Sequence, residues 1–123
     1  MKFRKSARIL TSREFQLVFD AVSGRASTKE VLLLAAQNEL GTPRLGLIIS
    51  KKVDKRAVER NRIKRILREQ FRQSQAKLPG VDIIALVRPP ASGTDNAHLR
   101  QQSKYLFKKI AKNVQKSIET SHN

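Results

Sequence analysis

The sequence predicts a single α/β domain, a two-layer sandwich in which helices pack against a small mixed sheet. Three observations lead there. Short apolar runs bounded by turn residues, at 30–36 (EVLLLAA), 45–50 (LGLIIS) and 81–87 (VDIIALV), read as strands. Two longer stretches, 56–75 and the region after ASGTDN, carry apolar residues at helical spacing. The first of these lies between two strands and so serves as a crossover. At 123 residues the chain is sized for one core.

Taken in order, residues 1–10 form a basic, extended arm. It has neither the long apolar stretch nor the small-residue cleavage site of a signal peptide. Thr11 is placed to cap a helix, and Glu14 completes a capping box, with Leu10 and Phe15 at the staple positions. Phe15, Val18, Phe19 and Val22 follow on one helical face, and Gly24 is the expected stop. The runs at 30–36 and 45–50, joined across Gly41-Thr42-Pro43, predict a hairpin. Gly46 inside the second run suggests a bulge or a close backbone approach.

From 56 to 75 the period is helical. Ile63, Ile66, Leu67 and Phe71 share one arc, and Arg62, Lys64, Arg65, Arg68 and Arg72 share the opposite one. Arg60 falls near the apolar side, where it can line the edge of a cleft. Pro79-Gly80 breaks the chain before the third strand, which Arg88-Pro89-Pro90 stops. The last helix buries Leu99, Phe107, Ile110, Val114 and Ile118. Lys104, Lys108, Lys109, Lys112 and Lys116 lie elsewhere on it, and 119–123 form a disordered tail.

Charge narrows the function. The formal net charge is +16 and the pI about 11.2, which implies a polyanionic partner. Residues 51–72 hold ten Lys/Arg against three acids, on a stretch that keeps a clean apolar stripe. The charge therefore sits on folded structure. Lys64, Arg68 and Arg72 repel one another at i, i+4, a strain that a phosphate backbone relieves. Arg60-Asn61-Arg62 sets two guanidinium forks around an amide, suited to phosphate and to a base edge or backbone group. Glu69 has two equal readings, a pairing with Arg65 or Arg72 and a functional role. Phe15 and Phe19 fit the core by periodicity, and they also fit stacking on a base at a cleft edge.

Catalytic chemistry is not indicated in the chain itself. His98 and His122 lack ligand-spaced partners, and there is no cysteine. The ten acids are scattered, without the close pairing of a two-metal nuclease. No Gly-rich phosphate loop or nucleophile elbow occurs. No apolar run is long enough to span a bilayer.

With these residues in place, the chain resembles the protein component of bacterial ribonuclease P. The matches are Arg13-Glu14-Phe15 with Phe19, Pro43-Arg44-Leu45-Gly46 and Ser50-Lys51-Lys52. They continue with Ala57-Val58 leading into Arg60-Asn61-Arg62-Ile63-Lys64-Arg65, then Arg68-Glu69, Phe71-Arg72, and Asp82 through Arg88. The resemblance implies a sandwich of about four strands and three helices with a left-handed βαβ crossover, against the usual hand. The fourth strand would be short, near 24–27.

The resemblance further implies a subunit that joins a large catalytic RNA to remove the 5′ leader of precursor tRNA, with Mg²⁺ held by the RNA and none by the protein. The basic helix and its approach (Lys51, Lys52, Arg56, Arg60, Asn61, Arg62, Lys64, Arg65, Arg68 and Arg72) would face the catalytic RNA. A cleft between the sheet and the first helix, with Arg13, Phe15, Phe19, Arg44, Ser50 and Arg88, would take the single-stranded leader. Where the family often carries an aromatic on the cleft strand, this chain has Leu32-Leu33-Leu34. Leader contacts here should therefore be more electrostatic. A cytoplasmic protein with no membrane and no obligate protein partner is expected. A ribosomal or other structural RNA-binding protein is the main alternative. A protein-only nuclease is disfavoured by the scattered acids, and a major-groove DNA binder by the lack of a dimer seam.

Overall fold

The computed structural model describes residues 11–121, with side chains described to 115. The elements are α1 (Ser12–Asp20), β1 (Gly24–Ser27), β2 (Val31–Gln37), β3 (Arg44–Ile48), α2 (Ala57–Ser74), β4 (Val81–Val87) and α3 (Asn96–Ser121). Short 3-10 turns at Gln75–Lys77 and Pro89–Ala91 follow α2 and β4. The basic N-terminal arm and the Leu10 staple position lie outside the described residues. α3 runs to Ser121, three residues into the segment assigned above to a tail.

The strands form one mixed sheet in the order β1-β2-β4-β3. This corrects the expected hairpin. β2 pairs antiparallel with β1, through Ala26 opposite Leu33, and β4 separates β2 from β3. The reason lies in composition: β4 is apolar on both faces and buried at every position but Leu86, so it takes the interior of the sheet. β3 is left at the edge, parallel to β4, with Leu45 opposite Ile83. Gly46 sits in unbroken register opposite Ile84, so the expected bulge is absent. The β2–β3 connection instead turns over the end of β4, where Asn38 N–H donates to the Gly80 carbonyl at 2.9 Å. A Cβ at Gly80 would lie 3.0 Å from the Gly41 backbone, so only glycine allows that approach.

Alternation along the strands sorts the side chains into two faces. Leu33, Ala35, Leu45, Val81, Ile83 and Ala85 point to the side covered by α2 and α3. There Ile63, Ile66, Leu67 and Phe71 of α2 meet Leu99, Leu106, Phe107 and Ile110 of α3, all fully buried. The Phe71 and Phe107 rings are tilted, with centroids 5.9 Å apart. Ala36 and Ile84 point the other way, onto Val18 of α1, with Phe15, Ile48 and Leu86 around them. The two-layer arrangement of sheet and α2/α3 thus gains partial cover from α1 on its second face.

The capping box forms as expected. Thr11 Oγ1 accepts from Glu14 N–H at 3.1 Å, and Glu14 Oε1 accepts from Thr11 N–H at 3.1 Å. α1 nevertheless ends at Asp20, before Gly24, because Gly24 opens β1 against α3. A Cβ there would meet Val114 at 3.1 Å. Among the described residues no helix is long and apolar enough to cross a membrane.

Candidate nucleic-acid interface

Two loops frame the start of α2, and acids within the basic segment hold them. Asp54 accepts from Arg56 N–H at 2.8 Å, from the Arg56 guanidinium at 3.1 and 3.0 Å, and from Ser92 Oγ at 2.6 Å. Glu59 accepts from Arg62 at 2.8 and 2.6 Å and from Gly93 N–H at 3.0 Å. Arg62 Nη1 continues to Asn96 Oδ1 at 2.7 Å, at the start of α3. Arg60 Nη1 donates to the carbonyls of Asp54 and Lys55, both at 2.9 Å. These bonds give α2 a start that no side-chain cap provides.

The basic face is therefore not uniform. Arg62 is half-buried and makes three hydrogen bonds to two partners, Glu59 and Asn96, which gives it a structural role. Replacing it should cost stability as well as charge. Arg60 ties down the preceding loop and does not line the cleft. Glu69 forms an ion pair across the helix interface, with Arg100 of α3 at 3.6 Å. Lys51, Lys52, Arg56, Asn61 and Arg65 are exposed, and Arg68 and Arg72 are half-buried.

Donated hydrogen bonds favour the charged form of each carboxyl group. The Arg62 guanidinium, with Gly93 N–H, holds Glu59 down at about 2 against an ordinary 4.5. Asp54 is held well below the usual carboxylate range by Arg56 and Ser92. A depressed carboxyl stabilises the fold above its unfolded value and loses that contribution as pH falls towards the folded one. The melting temperature should accordingly fall as pH drops from about 4.5 towards 2. Glu59→Gln should remove part of that fall, measured as thermal melts across this range. A Glu59→Gln curve parallel to wild type would show that the bond contributes nothing.

The second feature is a cleft between α1 and the β3 edge. Ser12, Phe15, Gln16 and Phe19 line one side, and Leu47, Ile48 and Ile49 the other, with Lys64 reaching in from α2. Phe15 packs into the small core under α1. Phe19 is 40% exposed, so its ring is open to solvent. Lys64, which the sequence sets on the basic arc one residue after Ile63, also borders this cleft.

The remaining cleft candidates scatter. Arg13 is exposed on α1 but is not among the lining residues. Ser50 Oγ accepts from Lys52 N–H at 3.2 Å and shapes the turn after β3. Arg88 follows β4 at the same end of the sheet and donates to the Thr28 carbonyl at 3.1 Å. Arg44 lies at the opposite end. Its guanidinium meets Asp82 at 2.8 and 2.7 Å and Glu14 at 2.5 Å, which holds it firmly protonated. Leu32 and Leu34 sit on the α1 side of β2, opposite Leu86 and Ile84, while Leu33 is in the main core.

Among the described residues no three His, Cys, Asp or Glu side chains gather as metal ligands. His98 meets the buried Glu30 at 3.2 Å.

Known proteins place this architecture. The family model described as Ribonuclease P matches residues 3–111. The chain is 50% identical over 110 residues to the ribonuclease P protein component of Ectopseudomonas mendocina, covering 89% of this chain and 82% of that one. It is 46% identical over 111 residues to that of Pseudomonas aeruginosa, covering 90% and 82%. Among solved structures, the Staphylococcus aureus RNase P protein superposes with a TM-score of 0.76 at 29% identity, covering 85% of this chain and 94% of that one. The Thermotoga maritima RNase P protein gives 0.68 at 26% identity, covering 80% and 96%. On family match, identity and fold together, the chain belongs to the ribonuclease P protein family.

Proposed function

We propose that this ribonuclease P subunit binds the catalytic RNA through the exposed cations of α2 and its approach. In the same reading it takes the single-stranded 5′ leader of precursor tRNA in the α1 cleft, and the leader is cut at Mg²⁺ held by the RNA. The observation that carries the reading is the cleft itself. An exposed aromatic ring (Phe19) faces an apolar strand edge, with a cation (Lys64) beside it. That set offers a stacking platform and a phosphate partner for single-stranded RNA.

The acids beside the basic helix and the cleft do not suit a catalytic metal. Glu14, Asp54, Glu59 and Asp82 are each engaged by a guanidinium, so their charge is already matched. No step of the reaction is assigned to them. The chain instead lowers repulsion between two polyanions, a task suited to its +16 charge.

Three preparations test this against precursor tRNA: protein alone, RNA alone in rising Mg²⁺, and both together. Protein alone should be inactive with any divalent metal. The pair should cleave at physiological salt, and high Mg²⁺ should partly replace the protein. Cleavage by protein alone, lost on replacing one of its own acids, would move the nuclease into this chain. Binding to ribosomal RNA with no response to the catalytic RNA would favour a structural RNA-binding role.

A further inference from the structure

The charge of this protein is not confined to α2. Between residues 100 and 112, α3 carries Arg100, Lys104, Lys108, Lys109 and Lys112 and no acid. Lys104 and Lys108 stand one turn apart and, with Lys77 from the turn after α2, line one groove with Gln70 and Gln73 above buried Phe107. All three lysines are exposed, and none has a hydrogen bond or ion pair among the described residues. No acid lines the groove, and Glu69, the nearest in sequence, is paired with Arg100. Three unneutralised ammonium groups converging from two elements repel one another, and the amides beside them add donors. Such a set fits the oxygens of a phosphodiester backbone.

Position decides which backbone. The contacts between the two helices climb together: Arg62 to Asn96, Glu69 to Arg100, Phe71 to Phe107. α2 and α3 thus run side by side in the same direction, on the sheet face opposite α1. An RNA lying along the basic face of α2 meets the groove at the far end of that helix. The leader cleft opens beside α1. We propose that the groove formed by Lys77, Lys104 and Lys108 is a second docking site for the phosphate backbone of the catalytic RNA, separate from the leader cleft. This rests on the subunit reading above.

The test is binding of the full chain to the catalytic RNA over a series of KCl concentrations. Each lost phosphate contact flattens the plot of log affinity against log salt by roughly 0.7 to 0.9, so the triple Lys77→Ala, Lys104→Ala, Lys108→Ala should lose about 2 to 3 in slope. A second triple, Lys29→Ala, Lys109→Ala, Lys112→Ala, removes the same charge from exposed positions outside the groove and should lose much less. Lys→Arg at the three groove positions should keep the wild-type slope. Should the alanine triple melt early, Lys→Gln at the same positions takes its place in the titration. An unchanged slope, or equal losses in both triples, overturns the groove. So does a loss seen only when the assembled holoenzyme binds precursor tRNA. Failure of the wild-type chain to bind the catalytic RNA would instead overturn the subunit reading.

Discussion

Arg44→Ala should destabilise the fold by about 3 kcal/mol, the low end of what deleting one partner of a buried ion pair costs. The site is well shielded: the Arg44 and Asp82 side chains are 17% and 11% exposed. The guanidinium fork grips both oxygens of Asp82 and reaches Glu14 with its remaining arm. Without it, Asp82 keeps, among the described residues, only Asn38 Nδ2, at 2.8 Å. For a chain of this size the loss amounts to a drop of about 10 °C in melting temperature. Arg44→Lys should fall between, because an ammonium keeps the charge but loses the two-pronged geometry. Arg44→Ala with Asp82→Ala should cost less than the two singles added, which a double-mutant cycle in urea measures. An unchanged unfolding midpoint for Arg44→Ala, with weakened binding of precursor tRNA, would return Arg44 to the leader-binding role inferred from resemblance.

The same network matters for function through position. Glu14 closes the capping box of α1 and also accepts from Arg44 at the start of β3. One carboxylate therefore both starts the helix and anchors it to the sheet. Phe15 and Phe19, one and five residues further on, take their place over the β3 edge from that anchor.

Local features of the fold were legible in the sequence. The capping box depends on residues three apart, and the α2 stripe on residues within one helix, so both could be read directly. Sheet order is different in kind. The connection through Gly41-Thr42-Pro43 reads as a hairpin because nothing near it shows that β4 will intervene some 40 residues later. The usable sign was the doubly apolar character of 31–36 and 81–87, which marks strands flanked on both edges. β1 offered no pattern, since Ala26 is its only buried residue.

In the candidate site the same division holds. A lone arginine reads as surface charge. What buries Arg44 and Arg62 are partners 38 and 34 residues away, Asp82 and Asn96, invisible to any local pattern. Arg65 reads correctly as exposed because only its own helix decides the matter.

Phe19→Ala should weaken binding of precursor tRNA by about 5- to 150-fold while leaving mature tRNA unaffected. Loss of one stacked base costs roughly 1–3 kcal/mol, and only the precursor carries a leader to stack. The ring is 40% exposed, so its removal should leave the melting temperature nearly unchanged. Phe15→Ala is the useful contrast. Phe15 packs with Val18, Ala36 and Ile84, so it should lose stability together with affinity. Lys64→Ala should act differently again, flattening the salt dependence of precursor binding without touching the stacking contribution. Measured side by side, the three variants separate ring, core and charge within one cleft. Equal losses for precursor and mature tRNA in Phe19→Ala would mean that the ring does not meet the leader. An early melt in the same variant would mean that Phe19 belongs to the core after all.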